Sequence, residues 1–216
     1  VERSRGLGDV YKRQIEDNSS GENLKKLKDL INTHGIDCEI INHDKSEHKE
    51  KIAAENNQET FGNLSSLLKC FEIAKKDQSD LIYFVEDDYL HYEHSLVDML
   101  NTYERVSSQH KDEIIVCPSD YPFNYMNNEK TNILIGSQQH WRTITKMLCT
   151  FMISKKMFQK HIDNFEKTCE KRHEPFEKYL NKILESEIGI SPIKSLAIHM
   201  TNVNSCLLYT SDAADE

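Results

Sequence analysis

LIYFVEDDYLHY, residues Leu81–Tyr92, is the stretch whose reading decides the fold. Leu81–Val85 is an unbroken apolar run, far too short to cross a membrane. Such a run suits a strand buried on both faces, as in the middle of a parallel sheet. Glu86, Asp87 and Asp88 follow at once. In open α/β sheets ligands bind just outside the carboxyl ends of the strands. Adjacent anions at such a place repel one another, and each carries a desolvation cost. A bound divalent cation is the simplest compensation, and an all-oxygen ligand set favours Mg²⁺ or Mn²⁺ over zinc. The competing reading is a solvated acidic turn at a strand end.

Working back from this stretch, Asn63 is placed to cap an amphipathic helix that delivers the chain to the strand. Its apolar stripe is Leu64, Leu67, Leu68, Phe71 and Ala74. Before it, Ser46–Asn57 is polar and reads as a marginal helix or loop, and Cys38–Ile41 as a short strand ending in Asn42-His43-Asp44. Earlier still, Leu24, Leu27, Leu30 and Ile31 share one helical face, with Gly35 placed to end that helix. Ser19 and Glu22 stand at capping-box spacing ahead of it. The loop Asp17–Gly21 that leads into this helix should follow a strand. The order strand, helix, strand, helix, strand predicts an α/β domain with a mostly parallel central sheet and helices on both faces.

Working forward, Ser95 starts a helix with Leu96, Met99, Leu100 and Tyr103 inward, and Ile114–Cys117 is a strand running into Pro118-Ser119-Asp120. Phe123–Thr131 reads as loop. Ile133–Gly136 and Thr150–Ser154 read as strands flanking His140-Trp141-Arg142. Lys155–Thr168 and Glu174–Glu187 read as helices, and Ser195–Met200 as a last strand with Ala197 and His199 on one face.

Composition narrows the function classes. The net charge is −9 at pH 7, which argues against a nucleic-acid binder. No apolar run approaches the length of a membrane span. Cys38, Cys70, Cys117, Cys149 and Cys169 are scattered with no zinc spacing, so reduced thiols in a reducing compartment are expected. No repeat, low-complexity tract or linker divides the chain, so a single domain is expected.

Both ends stand apart from this pattern. Val1–Gln14 resembles translated sequencing-adapter sequence of the kind found at the ends of metagenomic protein predictions, and Cys206–Glu216 resembles its counterpart. On that reading Ile15–Ser205 is a natural fragment, and Val1 is not a natural start. Val10–Ile15 would then fill the slot of a lost first strand.

The order of parts in Ile15–Ser205 resembles the GT-A-type nucleotide-sugar glycosyltransferases, close to the large family 2 group. The resemblance rests on four places: Asp17-Asn18-Ser19-Ser20 after the first strand, Asp44 after the second, Glu86-Asp87-Asp88, and the late segment SLAIHMTNVNS, Ser195–Ser205. Glu86 stands where the family's motif usually opens with aspartate. The resemblance implies a metal-dependent, inverting transfer of a sugar from a nucleotide-diphosphate donor to a hydroxyl on a glycan, a lipid-linked glycan or another acceptor. It implies donor contacts from Asp17, Asn18, Ser19, Asp44, Glu86 and Asp87. It implies a Mn²⁺ or Mg²⁺ site built from Glu86, Asp88 and His199. At the family level it also implies a cytoplasmic site of action at the inner face of a membrane, in polysaccharide or lipopolysaccharide assembly.

The acceptor hydroxyl needs a base, and Glu174, Asp120 and Glu177 are the candidates, Glu174 first because it precedes Pro175 at an expected helix start. Each of these residues also has a plainer reading. Asp17 and Ser19 also fit as helix caps, Asp44 as a turn residue, and Glu174 and Glu177 as part of a solvated helix face. Trp141-Arg142 suits either a sugar and phosphate contact or core filling. The side chain of His199 is expected within about 8 Å of the Asp88 carboxylate, close enough for a cation to draw the two together. Two other functions remain: nucleotidyl transfer on a similar sheet, against which the lack of Arg or Lys in Asp17–Gly21 speaks, and a non-catalytic binding or scaffold domain.

Overall fold

The computed structural model describes residues 11–17, 19–52, 57–126 and 128–200. The described residues divide into two compact units, those up to 76 with 169–172, and those of 77–168 with 173–200.

The first unit is a βαβ arrangement followed by a long helix. β1 (Lys12–Glu16) and β2 (Cys38–Asn42) pair in parallel, with Ile15 opposite Ile41. Lys12–Gln14, read from sequence as adapter-derived, therefore form part of a strand. The crossover between β1 and β2 is α1 (Gly21–Thr33). Its cap is Ser20, whose side chain accepts from the Asn23 amide, one residue later than the capping-box spacing indicated. Gly35 ends it with φ 60°, a left-handed conformation that glycine adopts without a Cβ clash.

After β2 the chain makes a 3-10 turn, Lys45–His48. α2 (Gln58–Lys76) starts five residues earlier than the Asn63 cap expected from sequence. The Asn57 side chain accepts from the amides of Glu59 and Thr60 and so satisfies the helix start upstream, leaving Asn63 in the helix interior. Of the expected stripe, Leu64, Leu68, Phe71 and Ala74 are buried and Leu67 is half-buried.

The second unit is built on a six-stranded sheet. β3 (Leu81–Phe84), β5 (Ile114–Val116), β6 (Ile133–Ile135), β7 (His140–Ile144), β8 (Phe151–Ser154) and β9 (Ile188–Pro192) lie in the order β3-β8-β5-β9-β7-β6. Only β5 and β9 pair in parallel; the other four pairings are antiparallel. This corrects the expected mostly parallel sheet. The reason lies in the connections. A short hairpin through Gly136–Gln139 forces β7 to run against β6, and β8 is inserted between β3 and β5 in the opposite sense to both. β3 is correspondingly the first strand of the order rather than a central one. Only Phe84 of β3 is buried, and Val85 is 51% exposed.

The hairpin also fixes Gly136. A Cβ there would run into the Trp141 ring and lie 2.8 Å from Thr102 Oγ1, so the position demands glycine for space. Trp141 is fully buried in a core with Met99, Ile114, Val116, Met152 and Ile190, which settles it as core filling. Phe84, Phe151, Phe158 and Phe165 form a second aromatic group.

The helices of this unit differ from expectation mainly at their ends. α3 (Ser95–His110) is as read. A short α4 (Phe123–Met126) replaces part of the expected loop. The expected helix Lys155–Thr168 is two pieces, α5 (Lys155–Lys160) and α6 (Ile162–Thr168), parted at His161, whose ring meets Glu187 Oε1 at 2.7 Å. α7 is only Lys178–Ile183, so Glu174 lies outside the helix and Glu177 is its cap residue. The pre-proline position keeps Glu174 itself out of the helical region. β10 (Ala197–His199) pairs antiparallel with β4 (Tyr89–His91), directly after the acidic triplet.

Among the described residues no helix is long and apolar enough to cross a membrane.

Candidate functional site

In the second unit, β3, β5 and β9 all run in one direction, because β3 and β5 are both antiparallel to β8 and β9 is parallel to β5. Their carboxyl ends share one edge of the sheet. The residues that follow β3 and β5 there are Glu86-Asp87-Asp88 and Pro118-Ser119-Asp120.

The late segment is lashed to both loops by its backbone. Leu196 N–H donates to Pro118 O at 2.8 Å, Ser119 Oγ to Ala197 O at 2.7 Å, Tyr92 N–H to Leu196 O at 3.0 Å and Met200 N–H to Asp88 O at 2.7 Å. The β4–β10 register sets His199 opposite Tyr89. The imidazole stacks on the Tyr89 ring, centroids 4.6 Å apart and planes 11° from parallel. That stacking aims Nε2 at Asp88 Oδ2, 3.0 Å away. The separation is well inside the limit of about 8 Å that a shared cation requires.

Glu86 is held from the neighbouring strand. Phe84 faces Phe151 across the β3–β8 pair, so Thr150 reaches the residues just after β3. The Glu86 amide donates to Thr150 Oγ1 at 3.0 Å, and that hydroxyl donates to Glu86 Oε2 at 3.2 Å. Burial, then the charge of Asp88, raises the Glu86 carboxyl from 4.5 to about 7 against the Thr150 hydrogen bond, with smaller contributions from Glu177 and Asp87. Asp87 is exposed.

Of the three candidate bases, Glu177 is half-buried and Glu174 exposed. Burial raises the Glu177 carboxyl, its own backbone hydrogen bond and His199 lower it, and Glu174 raises it. Glu177 is thus electrostatically coupled to both Glu86 and His199. Asp120 is buried and already engaged. Tyr125 Oη donates to its Oδ2, Asn124 Nδ2 to its Oδ1 at 3.3 Å, and Arg142 Nη2 lies 3.6 Å from Oδ2. The Arg142 guanidinium also sits 4.1 Å from the Tyr125 ring centre and donates to its hydroxyl. Arg142 is 7% exposed and serves this buried pair.

The first unit carries the other assigned residues. An open cleft at the carboxyl ends of β1 and β2 is lined by Asp17, Ser19, His43, Asp44 and Lys45, among others. Asp17 Oδ1 pairs with Lys45 Nζ at 3.1 Å, and Ser66 Oγ donates to Asp17 Oδ2 at 3.0 Å. Asp44 caps the 3-10 turn, accepting from the Ser46 amide at 2.9 Å, and those hydrogen bonds to Ser46 hold its carboxyl below the usual range. Ser19 donates its amide to Glu16 Oε1. Asn18 and residues 201–205 lie outside the described residues.

Among the described residues no three His, Cys, Asp or Glu side chains converge as a ready-made metal group. Asp88 and His199 do converge, and Glu86 feels the Asp88 charge. One or two protein ligands are what Mg²⁺ or Mn²⁺ ordinarily takes when a substrate diphosphate and water complete its shell. The donor chemistry, carboxylate and neutral imidazole, fits Mn²⁺.

Sequence reasoning missed Thr150, Lys45, Ser66 and the Asp120–Tyr125–Arg142 group. No local pattern marks them; Thr150 stands 64 residues from Glu86 and is delivered by strand pairing alone.

No protein-family model matches the chain, and comparison with curated proteins gives no match.

Proposed function

We propose that this protein is a metal-dependent glycosyltransferase that moves a sugar from a nucleotide-diphosphate donor to an acceptor hydroxyl, with inversion at the anomeric carbon. The observation that carries the reading is the meeting of Asp88 and His199, 111 residues apart in sequence, at the carboxyl edge of the sheet. Breaking the bond between the anomeric carbon and a phosphate oxygen loads negative charge onto the departing diphosphate. A bound Mn²⁺ or Mg²⁺ supplies Lewis-acid stabilisation of that charge and a template for the diphosphate. Asp88 and His199 are the residues that would hold it, with Glu86 adding a carboxylate that burial and its acidic neighbours leave in need of a cation.

Glu177 is the best candidate for the base. It is half-buried, burial raises its carboxyl above 4.5, and the charge of His199 acts on it. A raised acid is the more effective proton acceptor near neutral pH. Asp120 is assigned instead to its buried pair with Arg142, and the exposed Glu174 to solvent. Asp17, Ser19 and Asp44 line an open cleft of the first unit.

The test is calorimetry of the full chain with a panel of nucleotide-diphosphate sugars, with and without Mn²⁺. At least one donor should bind with Mn²⁺ and lose most of its affinity without it, and Asp88→Asn should lose the Mn²⁺-dependent part. Failure of every donor to bind, or affinity indifferent to both Mn²⁺ and Asp88→Asn, refutes the reading.

A further inference from the structure

The first unit contains a chain of four polar side chains that the proposed chemistry does not use. Glu72, on α2, meets His48 in the 3-10 turn, with Oε2 and Nε2 3.3 Å apart. His48 Nδ1 lies 2.8 Å from Ser65 Oγ, and Ser65 Oγ lies 2.8 Å from His43 Nε2. His48 is 2% exposed and Ser65 0%. His43 forms part of the cleft wall, and its Nδ1 is buried with no hydrogen-bond partner.

Proton counting fixes the direction of this chain. Burial raises the Glu72 carboxyl, but hydrogen bonds from Lys51 and His48 and their charges bring it below 4.5, so it is an anion that only accepts. His48 must then carry its proton on Nε2, which leaves Nδ1 bare. The single Ser65 proton goes to that bare nitrogen. Ser65 Oγ is left to accept, so His43 carries its proton on Nε2 and its Nδ1 is an acceptor. One half-buried carboxylate thus sets the tautomer of a ring three hydrogen bonds away.

We propose that Glu72, His48, Ser65 and His43 form a proton relay in which one added proton reverses every hydrogen bond between His48 and the cleft wall. The proton binds at His43 Nδ1. The former Nε2 proton of His43 passes to Ser65 Oγ, and the Ser65 proton passes to His48 Nδ1. His43 and Ser65 each take up one proton and give one up, His48 takes up one at Nδ1 and keeps its own at Nε2, and the net charge comes to rest on His48 beside Glu72. His43 Nδ1 is thereby converted from acceptor to donor without any movement of the backbone. The relay operates whatever ligand the cleft takes.

The surrounding charges are consistent with uptake at His43 and storage elsewhere. Burial holds the His43 ring below 6.5, and His48 and Lys69 of α2 also disfavour charge on it, while Asp17 of the β1–α1 loop and Glu47 of the 3-10 turn favour it. Lys45 faces Asp17, and Lys51 faces Glu72. Charge is thus disfavoured on His43, while the Glu72 carboxylate stands 3.3 Å from His48.

The test is imidazole ¹⁵N NMR on the histidine-labelled full chain across pH 5–8.5, with wild type, Ser65→Ala and Glu72→Gln. At high pH both His43 and His48 should be Nε2–H tautomers, and on acidification both rings should report the same midpoint. Ser65→Ala, a change helix α2 accommodates, should separate the two midpoints by about one pH unit or more. Glu72→Gln should release the tautomer of His48 and, with it, that of His43. An Nδ1–H tautomer of His43 in the wild type at high pH overturns the relay, as do wild-type midpoints that already differ or that Ser65→Ala leaves coincident. The wild-type tautomer reading stands even if a variant fails to fold.

Discussion

Replacing Arg142 by methionine tests the buried pair that removed Asp120 from the list of bases. Arg142 and Asp120 are 7% and 6% exposed, and their charged atoms approach to 3.6 Å. Methionine keeps the aliphatic length of arginine and deletes the charge, so Asp120 is left as an uncompensated anion with only Tyr125 and Asn124 donating to it. Breaking a buried pair on one side costs about 3–5 kcal/mol. The partial compensation from Tyr125 and Asn124 puts the expected loss near the lower end, about 3 kcal/mol at pH 7.

The loss should depend on pH with a definite sign. Burial already holds the Asp120 carboxyl above its usual 3.8 in spite of its hydrogen bonds and Arg142. An acid raised in the folded state binds more protons there than in the unfolded state, so stability falls as pH rises through the window between the two values. Deleting Arg142 raises the folded value further and widens that window upward. Urea melts of wild type, Arg142→Met, Asp120→Asn and the double variant at pH 4.5 and 7.5 measure this. The penalty of Arg142→Met should be smaller at pH 4.5, and Asp120→Asn in the same chain should recover most of it at pH 7.5. A penalty equal at both pH values, with no recovery in the double variant, would mean that Arg142 acts only by packing on Tyr125, and the electrostatic argument would be refuted.

Glu86→Gln should stabilise the fold at pH 8. A carboxyl raised from 4.5 to about 7 costs at most about 3 kcal/mol once ionised, so a gain of about 1–2 kcal/mol over wild type is expected, fading between pH 7 and pH 4.5; thermal melts showing no gain at pH 8 would count against the desolvated acid. Gly136→Ala should cost about 1–3 kcal/mol, because the fully buried Trp141 cannot yield to a Cβ; a melt unchanged from wild type would show the hairpin free to shift. His199→Ala should weaken Mn²⁺ binding and donor binding together, as followed by titration calorimetry, and loss of one without the other would separate His199 from the cation.

The sequence by itself determined the local elements and the chemistry at strand ends. The stripe Leu64–Ala74, the strand before Glu86 and the fully buried Ile114–Val116 were legible because burial imposes its period on nearby residues. The acidic triplet was legible because three adjacent carboxylates need no partner to be conspicuous. Boundaries were less so: Asn57 and Ser20 won the caps over Asn63 and Ser19, since several polar residues compete for the same amides and packing chooses among them.

The tertiary structure alone decided strand direction, and with it the site. β7 and β8 run against their neighbours and make the sheet mixed rather than parallel, and nothing local in the chain marks their direction. Nothing local tells Asp120 that it will meet Arg142, or Glu177 rather than Glu174 that it will feel His199. The family resemblance put His199 with Asp88, but only the Tyr89–His199 register sets the two 3.0 Å apart. A side chain's type is local information, but its partner is fixed by non-local hydrogen-bond register and by which face packs inward. Those are properties of the folded chain, not of the residues that meet.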